Sequence, residues 1–209
     1  MIVDDHPIVR RGLAELLARE PDIEVCGEAS GVSEAFGEVE RTNPDLVVID
    51  MTLKEGHGID LIEKIRAKNE RVRMLVSSMH DEMLFAERVL RAGAMGYVTK
   101  QEPPETLLAA IHQVLRGEVY LSPRMTSRLL RQVAGGALPQ EDPIHTLSNR
   151  ELQVFEMIGQ GVTTIQIARR LELSPKTIET HREKIKQKLN LKNGSELNRR
   201  AVQWVLDRG

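Results

Sequence analysis

The 209-residue sequence predicts an α/β unit with a doubly wound, five-stranded parallel sheet, followed by an all-α unit. In the first half, short apolar runs alternate with segments of helical periodicity, and the connections are so short that only parallel strands with right-handed crossovers fit. From residue 147 onwards only helical patterns remain. The charge changes as well: residues 1–120 hold 14 Lys and Arg against 22 Asp and Glu, whereas residues 121–209 hold 15 against 9. This split indicates two units with different partners, and nucleic acid is a candidate partner for the basic one.

Five strand–helix pairs are expected in the first half. The clearest strand is Leu46–Ile49, which is apolar throughout, as strands buried on both faces are. Gly93 favours the end of one helix, and Pro103 suits the first turn of the next. The predicted strands span residues 2–3, 23–26, 46–49, 73–77 and 96–99, and the predicted helices span residues 8–18, 32–41, 58–69, 82–92 and 103–116.

A linker is expected between the two units. Ser122 and Pro123 are residue types that favour the start of a helix, which we expect to run to about residue 134 and to end at Gly135 and Gly136. The stretch from there to Thr146 contains two prolines and predicts a flexible linker. The expected domains are therefore residues 1–118, a linker helix and flexible linker over residues 119–146, and a helical domain over residues 147–209.

Four helices are expected in the second half, at about residues 149–160, 164–171, 175–190 and 194–207. Ser148 and Glu151 have the spacing of a capping box, which marks the start of the first of these helices. Ser174 followed by Pro175 marks the start of the third.

Composition excludes several classes of protein. Hydrophobic residues make up 41% of the chain and charged residues 29%, as in ordinary globular proteins. The single cysteine, Cys26, excludes an intramolecular disulfide, fits a reducing cytoplasm and is expected as a small core residue. Since no apolar stretch approaches the length of about 18 residues that a spanning helix needs, we expect no membrane partner.

Charged side chains follow three of the predicted strands. Asp4 and Asp5 come after the first, Asp50 after the third and Lys100 after the fifth. The carboxyl ends of parallel strands meet at one edge of the sheet, where such folds bind ligands. Carboxylate oxygens suit Mg²⁺, and an ammonium could neutralise the oxygens of a phosphoryl group transferred to Asp50. Ser78, after the fourth strand, could donate a hydrogen bond to that group.

This half of the chain resembles the receiver domain of two-component response regulators, which has a flavodoxin-like fold. The resemblance covers residues 1 to about 118, and its motifs are Asp4–Asp5–His6–Pro7, Asp50, Gly58, Ser77–Ser78–Met79–His80–Asp81 and Gly96–Tyr97–Val98–Thr99–Lys100.

The resemblance implies a role for each matching residue. Asp50 would accept a phosphoryl group from a histidine kinase. Mg²⁺ would be bound directly by Asp5 and through water by Asp4, with Asp50 and the backbone carbonyl of Thr52 completing the site. Ser78 and Tyr97 would form a switch pair, in which the hydroxyl moves to the phosphoryl group and the aromatic ring turns inward.

The basic half contains a helix-turn-helix pattern. Ile165, Ala168 and Leu171 mark the inner face of one predicted helix, and Ile178, Ile185 and Leu189 that of the next. The outer face of the second helix carries polar residues at helical spacing, flanked by lysines, so it could lie in a major groove. The outward residues are Lys176, Glu179, Thr180, Glu183 and Gln187.

Over about residues 144–207 this half resembles the LuxR-type domain of the NarL/FixJ subfamily. The matching strings are residues 147–151, 165–168, 173–181 and 188–189. The resemblance implies that Glu179, Thr180 and Glu183 face the bases of double-stranded DNA, where a carboxylate can accept from cytosine N4 or repel wrong registers. Phosphate contacts are expected from the neighbouring basic and hydroxyl residues, Lys176, Thr177, Arg182, Lys184 and Lys188.

The last helix has two open interpretations. Ala201, Trp204 and Val205 would form either the seam of a homodimer, assembled when the chain is phosphorylated or bound to DNA, or part of the core of this unit.

The sequence therefore predicts a phosphorylation-controlled transcription factor in the cytoplasm, with no enzymatic activity beyond self-catalysed phosphorylation and dephosphorylation. One alternative is a DNA-binding protein that works without phosphorylation. The short first strand favours it slightly, as does Lys54, which stands at a position where the family often has proline. Another is a phosphoaspartyl hydrolase. It would need a further acid shortly after the nucleophile, and Asp50 is followed by Met51 and Thr52.

Overall fold

A computed structural model describes residues 1–54, 56–134 and 142–207 and divides the chain into two compact units, Met1–Gly135 and Gly136–Gly209. The strands of the first unit are Ile2–Val3 (β1), Glu28–Ala29 (β2), Leu46–Ile49 (β3), Arg73–Ser78 (β4) and Gly96–Thr99 (β5). Its helices are Pro7–Leu17 (α1), Val32–Thr42 (α2), Gly58–Lys68 (α3), Glu82–Ala92 (α4), Pro104–Leu115 (α5) and Pro123–Val133 (α6).

The sheet of the first unit has the order β2-β1-β3-β4-β5, and all its strands are parallel. β3 lies at the centre and is buried along its whole length, in agreement with its unbroken apolar sequence. β1 has only two residues, but it pairs on both sides: the N-terminal amine of Met1 donates to the Leu46 carbonyl (3.0 Å), and the N–H of Ile2 donates to Gly27 (3.0 Å). The predicted α/β fold is confirmed.

The second strand lies outside the predicted range. Residues 23–26 were expected to form it, but β2 is Glu28–Ala29, in register with β1. Ile23 and Val25 are partly buried against the hydrophobic core without pairing to a strand, so their apolar alternation reflects packing of a loop. Cys26, expected in the core, is exposed.

The segment after α5 adds to the edge of the sheet and then begins α6. The N–H of Tyr97 donates to the Tyr120 carbonyl (3.1 Å), and the N–H of Tyr120 donates to Met95 (2.9 Å). Ser122 then caps α6, as predicted, and donates through its N–H (3.0 Å) and its hydroxyl (2.5 Å) to the buried carboxylate of Glu82. α6 is thereby fixed to the start of α4.

The second unit is helical, as predicted. A short 3-10 helix, Pro143–Thr146, precedes the helices Asn149–Gly159 (α7), Thr164–Arg170 (α8), Pro175–Lys188 (α9) and Gly194–Leu206 (α10). The capping box of Ser148 and Glu151 is formed, and Ser174 caps α9.

The end of the predicted flexible linker is part of the folded second unit. The carboxylate of Asp142 accepts from the N–H of Ile144 (3.0 Å), and Ile144 is buried, so residues 143–146 belong to a packed 3-10 helix. The predicted helix end at Gly135 and Gly136 lies outside the described residues.

The core of the second unit is built around Phe155 and Trp204, whose ring centroids are 5.6 Å apart. Ala201 and Trp204 are buried within this unit, so core packing accounts for two of the three residues considered for a dimer seam. The prediction for Ile165 was wrong: its side chain is 58% exposed, and Ile167 takes the inner position on α8.

Candidate functional site

The strand ends bring the predicted acidic residues and Lys100 together. The N–H of Asp50 donates to the Val3 carbonyl (2.8 Å), which fixes the end of β3 beside the end of β1. The N–H of Lys100 donates to the Ser78 carbonyl (2.9 Å), which does the same for β5 and β4. Asp4 and Asp50 are buried, and Asp5 is partly buried. The parallel order of the strands therefore accounts for the cluster.

Lys100 links two of the carboxylates. Its Nζ lies 2.5 Å from Oδ2 of Asp4 and 2.6 Å from Oδ2 of Asp50, while Oδ1 of Asp50 accepts from the N–H of Met51 (2.7 Å). Burial raises the pKa of Asp50, and the charge and hydrogen bond of Lys100 oppose that rise. Burial on its own would lower the pKa of Lys100, but the charges and hydrogen bonds of Asp50 and Asp4 raise it overall. Lys100 is thus held as a cation against both carboxylates.

The same cluster has the donors for a divalent metal ion. Ligand atoms of Asp4, Asp5, His6 and Asp50 all lie within 4.8 Å of one another. Oδ1 of Asp5 is buried and lies 2.6 Å from Nδ1 of His6, but without hydrogen-bond geometry, so this oxygen has no hydrogen-bond donor among the described residues. Three carboxylates face one ammonium, which leaves an excess of negative charge. Hard oxygen donors with such an excess fit Mg²⁺.

Gly58 permits the start of α3 to approach the end of β3. A Cβ built on Gly58 would lie 2.5 Å from the carbonyl oxygen of Asp50, and the N–H of Gly58 donates to the Met51 carbonyl (2.8 Å). Only glycine allows this approach without moving Asp50.

Asp50 and His6 line a cavity of about 800 Å³, and apolar residues such as Leu13, Val98 and Leu107 line it as well. Thr52, whose carbonyl was predicted as a metal ligand, and Ser78 also line it. A group bound to Asp50 would therefore meet Ser78 and Lys100.

Ser78 and Tyr97 are joined through His80. Oγ of Ser78 lies 2.9 Å from Nδ1 of His80, and the Tyr97 hydroxyl donates to the His80 carbonyl (2.8 Å). Ser78 and Tyr97 are fully buried, with the tyrosine ring inside the unit. Burial raises the pKa of Tyr97 above its ordinary range.

In the second unit, α9 presents the predicted polar face. Ile178 and Ile185 are buried on the opposite side. The Glu179 carboxylate accepts from the Thr164 hydroxyl of α8 (3.0 Å) and lies 3.5 Å from Nε of Arg182. The predicted DNA-contacting residues that are exposed are Lys176, Glu179, Thr180, Glu183, Lys184 and Lys188, whereas Thr177 and Arg182 are partly buried.

Lys188 is engaged inside this unit. Its Nζ lies 2.6 Å from the buried carboxylate of Glu151 and 3.0 Å from the Thr146 carbonyl. Burial alone would raise the pKa of Glu151, but the hydrogen bond and charge of Lys188 and the hydrogen bonds from Ser148 lower it overall. Lys188 therefore joins α9 to α7 and the 3-10 helix, in addition to its predicted contact with phosphate.

Some contacting residues were not predicted from the sequence. His80 holds Ser78, Thr164 holds Glu179, and Nη1 of Arg10 donates to the Asp4 carbonyl (2.6 Å). His80 falls within a matching motif, and Thr164 follows a capping residue, but neither pattern specifies a side-chain partner.

The first unit is a parallel sheet whose strand ends carry carboxylates and a lysine, and the second contains a helix-turn-helix. This combination defines a receiver domain joined to a DNA-binding domain. Residues 1–112 match the family described as response regulator receiver domain. Residues 145–201 match the bacterial regulatory proteins of the luxR family. The chain belongs to the response regulators that combine these two domains.

Relatives place the chain more narrowly. It is 35% identical to the oxygen regulatory protein NreC of Staphylococcus carnosus, over 99% of this chain and 97% of the relative. It is 33% identical to the nitrate/nitrite response regulator protein NarL of Escherichia coli strain K12, over 98% of this chain and 93% of the relative. The protein is thus a response regulator of the NarL and NreC type.

Solved structures agree with this assignment. RcsB of Salmonella typhimurium matches with a TM-score of 0.74 and 25% identity, covering 97% of this chain and 95% of that one. RcsB of Salmonella enterica serovar Typhimurium, bound to the promoter rprA with the phosphomimetic BeF3-, matches with a TM-score of 0.71 and 26% identity, covering 95% of each chain. Among the described residues, no helix has both the length and the apolar character that crossing a bilayer requires.

Proposed function

We propose that Asp50 accepts a phosphoryl group from the phosphohistidine of a histidine kinase and that this transfer controls the binding of the second unit to double-stranded DNA. A carboxylate oxygen of Asp50 forms a bond to phosphorus while the bond from phosphorus to the donor nitrogen breaks, and the leaving imidazole takes up a proton. The observation that carries the proposal is the position of the Lys100 ammonium, 2.6 Å from Asp50 and 2.5 Å from Asp4. This cation lies where negative charge develops during the transfer.

Mg²⁺ is the proposed cofactor, because its charge would offset the repulsion between the carboxylates and the incoming phosphoryl group. Asp4, Asp5, Asp50 and the Thr52 carbonyl are the residues that would hold it. The buried Oδ1 of Asp5 and the excess of carboxylates support this assignment. The same pocket would accept a phosphoryl group from acetyl phosphate without a kinase, with breakage of the bond between phosphorus and the acetate oxygen. Water attacking the phosphorus would later release inorganic phosphate and the free carboxylate.

For the second unit we propose that α9 enters the major groove, with Glu179, Thr180 and Glu183 towards the bases and Lys176 and Lys184 towards phosphates. Their exposure on the face opposite the buried Ile178 and Ile185 supports this arrangement. A homodimer on DNA is proposed as well, since a related structure is described as two RcsB dimers bound to two parallel DNAs. A regulator that acts on DNA would work in the cytoplasm. The domain limits proposed are residues 1–118, 119–146 and 147–209.

The acceptor is tested by labelling the full chain with acetyl phosphate and Mg²⁺ and separating phosphorylated protein on a phosphate-affinity gel. Asp50→Asn is expected to abolish labelling. Asp22→Asn, at an exposed acid outside the cluster around Asp50, is the matched control and should label like the wild type. Labelling of Asp50→Asn at the wild-type level would refute the assignment.

The DNA interface is tested by selecting bound sequences from a random pool. Lys184→Ala is expected to weaken binding to all sequences and to reduce the salt dependence by about one phosphate contact. Glu179→Gln is expected to change the selected bases, because its carboxylate can accept hydrogen bonds but not donate them. An unchanged selection with Glu179→Gln would exclude it from base recognition.

A further inference from the structure

His80 is in contact with both members of the proposed switch pair. Its ring nitrogen Nδ1 lies 2.9 Å from Oγ of Ser78, and its carbonyl accepts from the Tyr97 hydroxyl at 2.8 Å. The ring also packs edge-on against Phe85, with centroids 4.9 Å apart and planes at 71°. Ser78 and Tyr97 are both fully buried.

The Ser78 hydroxyl has one proton and can therefore donate to one acceptor at a time. Its oxygen already accepts from the backbone N–H of His80 at 3.3 Å. In the short contact with Nδ1 the hydroxyl donates to the imidazole when the ring proton is on Nε2, whereas the other tautomer would donate from Nδ1 to the Ser78 oxygen. We take the Nε2–H tautomer, in which the Ser78 hydroxyl donates to His80 and not to Asp50, although Ser78 and Asp50 line the same cavity.

We propose that His80 is a positioning residue of the receiver unit, which holds the Ser78 hydroxyl on Nδ1 and so sets how readily Ser78 turns to a phosphoryl group on Asp50. The inference rests on the proposed phosphorylation of Asp50. A phosphoryl oxygen is charged and is a stronger acceptor than a neutral imidazole, so the hydroxyl exchanges one partner for the other. The free energy lost with the hydrogen bond from Ser78 to His80 reduces the free energy gained from the new bond to the phosphoryl group. The His80 carbonyl also accepts from the Tyr97 hydroxyl. Release of Ser78 therefore breaks one of the two hydrogen bonds by which His80 joins the switch pair.

The affinity of the full chain for beryllofluoride, used with Mg²⁺ as a reversible mimic of the phosphoryl group, reports the cost of breaking the bond between Ser78 and His80. Backbone amide NMR follows its binding to the wild type and to two variants. His80→Phe keeps the ring against Phe85 but removes the acceptor. His80→Asn keeps an acceptor, its side-chain oxygen, near the position of Nδ1.

His80→Phe is expected to bind beryllofluoride about two to ten times more tightly, the range for loss of one competing hydrogen bond. His80→Asn should restore the wild-type affinity. In a Ser78→Ala background, His80→Phe should have no effect, because the hydroxyl that it releases is absent. Equal affinity of His80→Phe and the wild type would overturn the proposal, as would a gain that persists without Ser78.

The contact itself is tested without any phosphoryl mimic. The ¹⁵N shifts of the His80 ring are expected to show a proton on Nε2 and an unprotonated Nδ1, and Ser78→Ala should shift the Nδ1 signal. A proton on Nδ1 together with no response to Ser78→Ala would overturn the inference. Failure of the wild type to bind beryllofluoride would instead refute the proposed role of Asp50, so the two proposals fail separately.

Discussion

At Gly58 the position of the proposed acceptor depends on the absence of a side chain. Gly58→Ala would place a Cβ 2.5 Å from the Asp50 carbonyl oxygen, so the backbone that carries Asp50 must move. We expect a loss of about 1–3 kcal/mol of stability, as for other overpacked sites, and slower labelling by acetyl phosphate. Denaturant unfolding and a labelling time course measure the two effects.

Gly37→Ala is the matched control. This helical glycine has open space around it: apart from its chain neighbours and its own helix backbone, no heavy atom of the described residues lies within 4 Å of a built Cβ. It should gain about 0.5–1 kcal/mol, the usual advantage of Ala over Gly in a helix. Labelling of Gly58→Ala at the rate of Gly37→Ala would contradict the geometric argument.

Lys188 leads to a second prediction for single residues. Lys188→Met would leave the Glu151 carboxylate buried without its cation, at a cost of about 1–3 kcal/mol. The chain has one tryptophan, and Trp204 lies in the second unit, so its fluorescence during denaturation reports on that unit. Lys186→Met is the control. It breaks the pair between Lys186 and the exposed Glu183 and should cost less than about 1 kcal/mol.

The same ion pair predicts a pH dependence. The pKa of Glu151 is lower in the folded unit than its ordinary value of 4.5, so the unfolded chain takes up a proton more readily. The stabilisation is therefore present above pH 4.5 and is lost as the pH falls through the lower folded value. Lys188→Met should reduce this loss, since the lowered pKa depends in part on Lys188, while the hydrogen bonds from Ser148 remain. An acid dependence equal to that of the wild type would contradict the prediction.

The acidic cluster could be predicted because it depends on one rule of parallel sheets. Asp4, Asp50 and Lys100 each follow an apolar strand, and strand order alone brings those ends together. The contacts of His80 could not be predicted, since they depend on the path of the loop after β4 and on side-chain rotamers. Lys188 was predicted only as a phosphate contact because its partner Glu151 is on another helix.

At the scale of elements, strands were predictable where both faces are buried and not where few residues pair. β3 has an unbroken apolar sequence, whereas β2 has two residues of which one is exposed. The position of β2 is set by its pairing with β1, and such a long-range contact cannot be read from the local sequence pattern. For α8 the helix itself was predicted correctly, but Ile165 was assigned to the buried face where Ile167 lies. A helix of only seven residues has too few apolar positions to define the direction of its buried face.

The anchoring of α6 leads to a prediction about this element. Ser122→Ala removes one of the two donors to the buried Glu82 carboxylate and also the cap of the helix. We expect α6 to lose about 1–3 kcal/mol of local stability and its amides to exchange hydrogen faster, which mass spectrometry measures. Ser127→Ala, on the exposed side of the same helix, is the control and should leave exchange unchanged. Equal exchange in the two variants would show that the bonds to Glu82 do not hold α6.

At the scale of the whole molecule, the distribution of charge sets the response of DNA binding to salt. The chain carries a net charge of −2, but residues 136–209 hold 12 Lys and Arg against 9 Asp and Glu. A fragment of residues 136–209, without the acidic unit, is therefore expected to bind random-sequence DNA more tightly than the full chain at low salt. Screening should remove most of this difference at about 0.15 M salt, where the Debye length falls to about 8 Å.

Fluorescence anisotropy with a labelled duplex of random sequence, recorded at several salt concentrations, tests this expectation. Trp204 fluorescence establishes that the fragment is folded, because its ring packs on Phe155 in the core of that unit. Asp50→Asn in the full chain is the companion variant. It removes one acidic group from the first unit and should shift low-salt binding far less than deletion of the unit does. If fragment and full chain bind equally at low salt, the acidic unit does not oppose DNA binding through its charge.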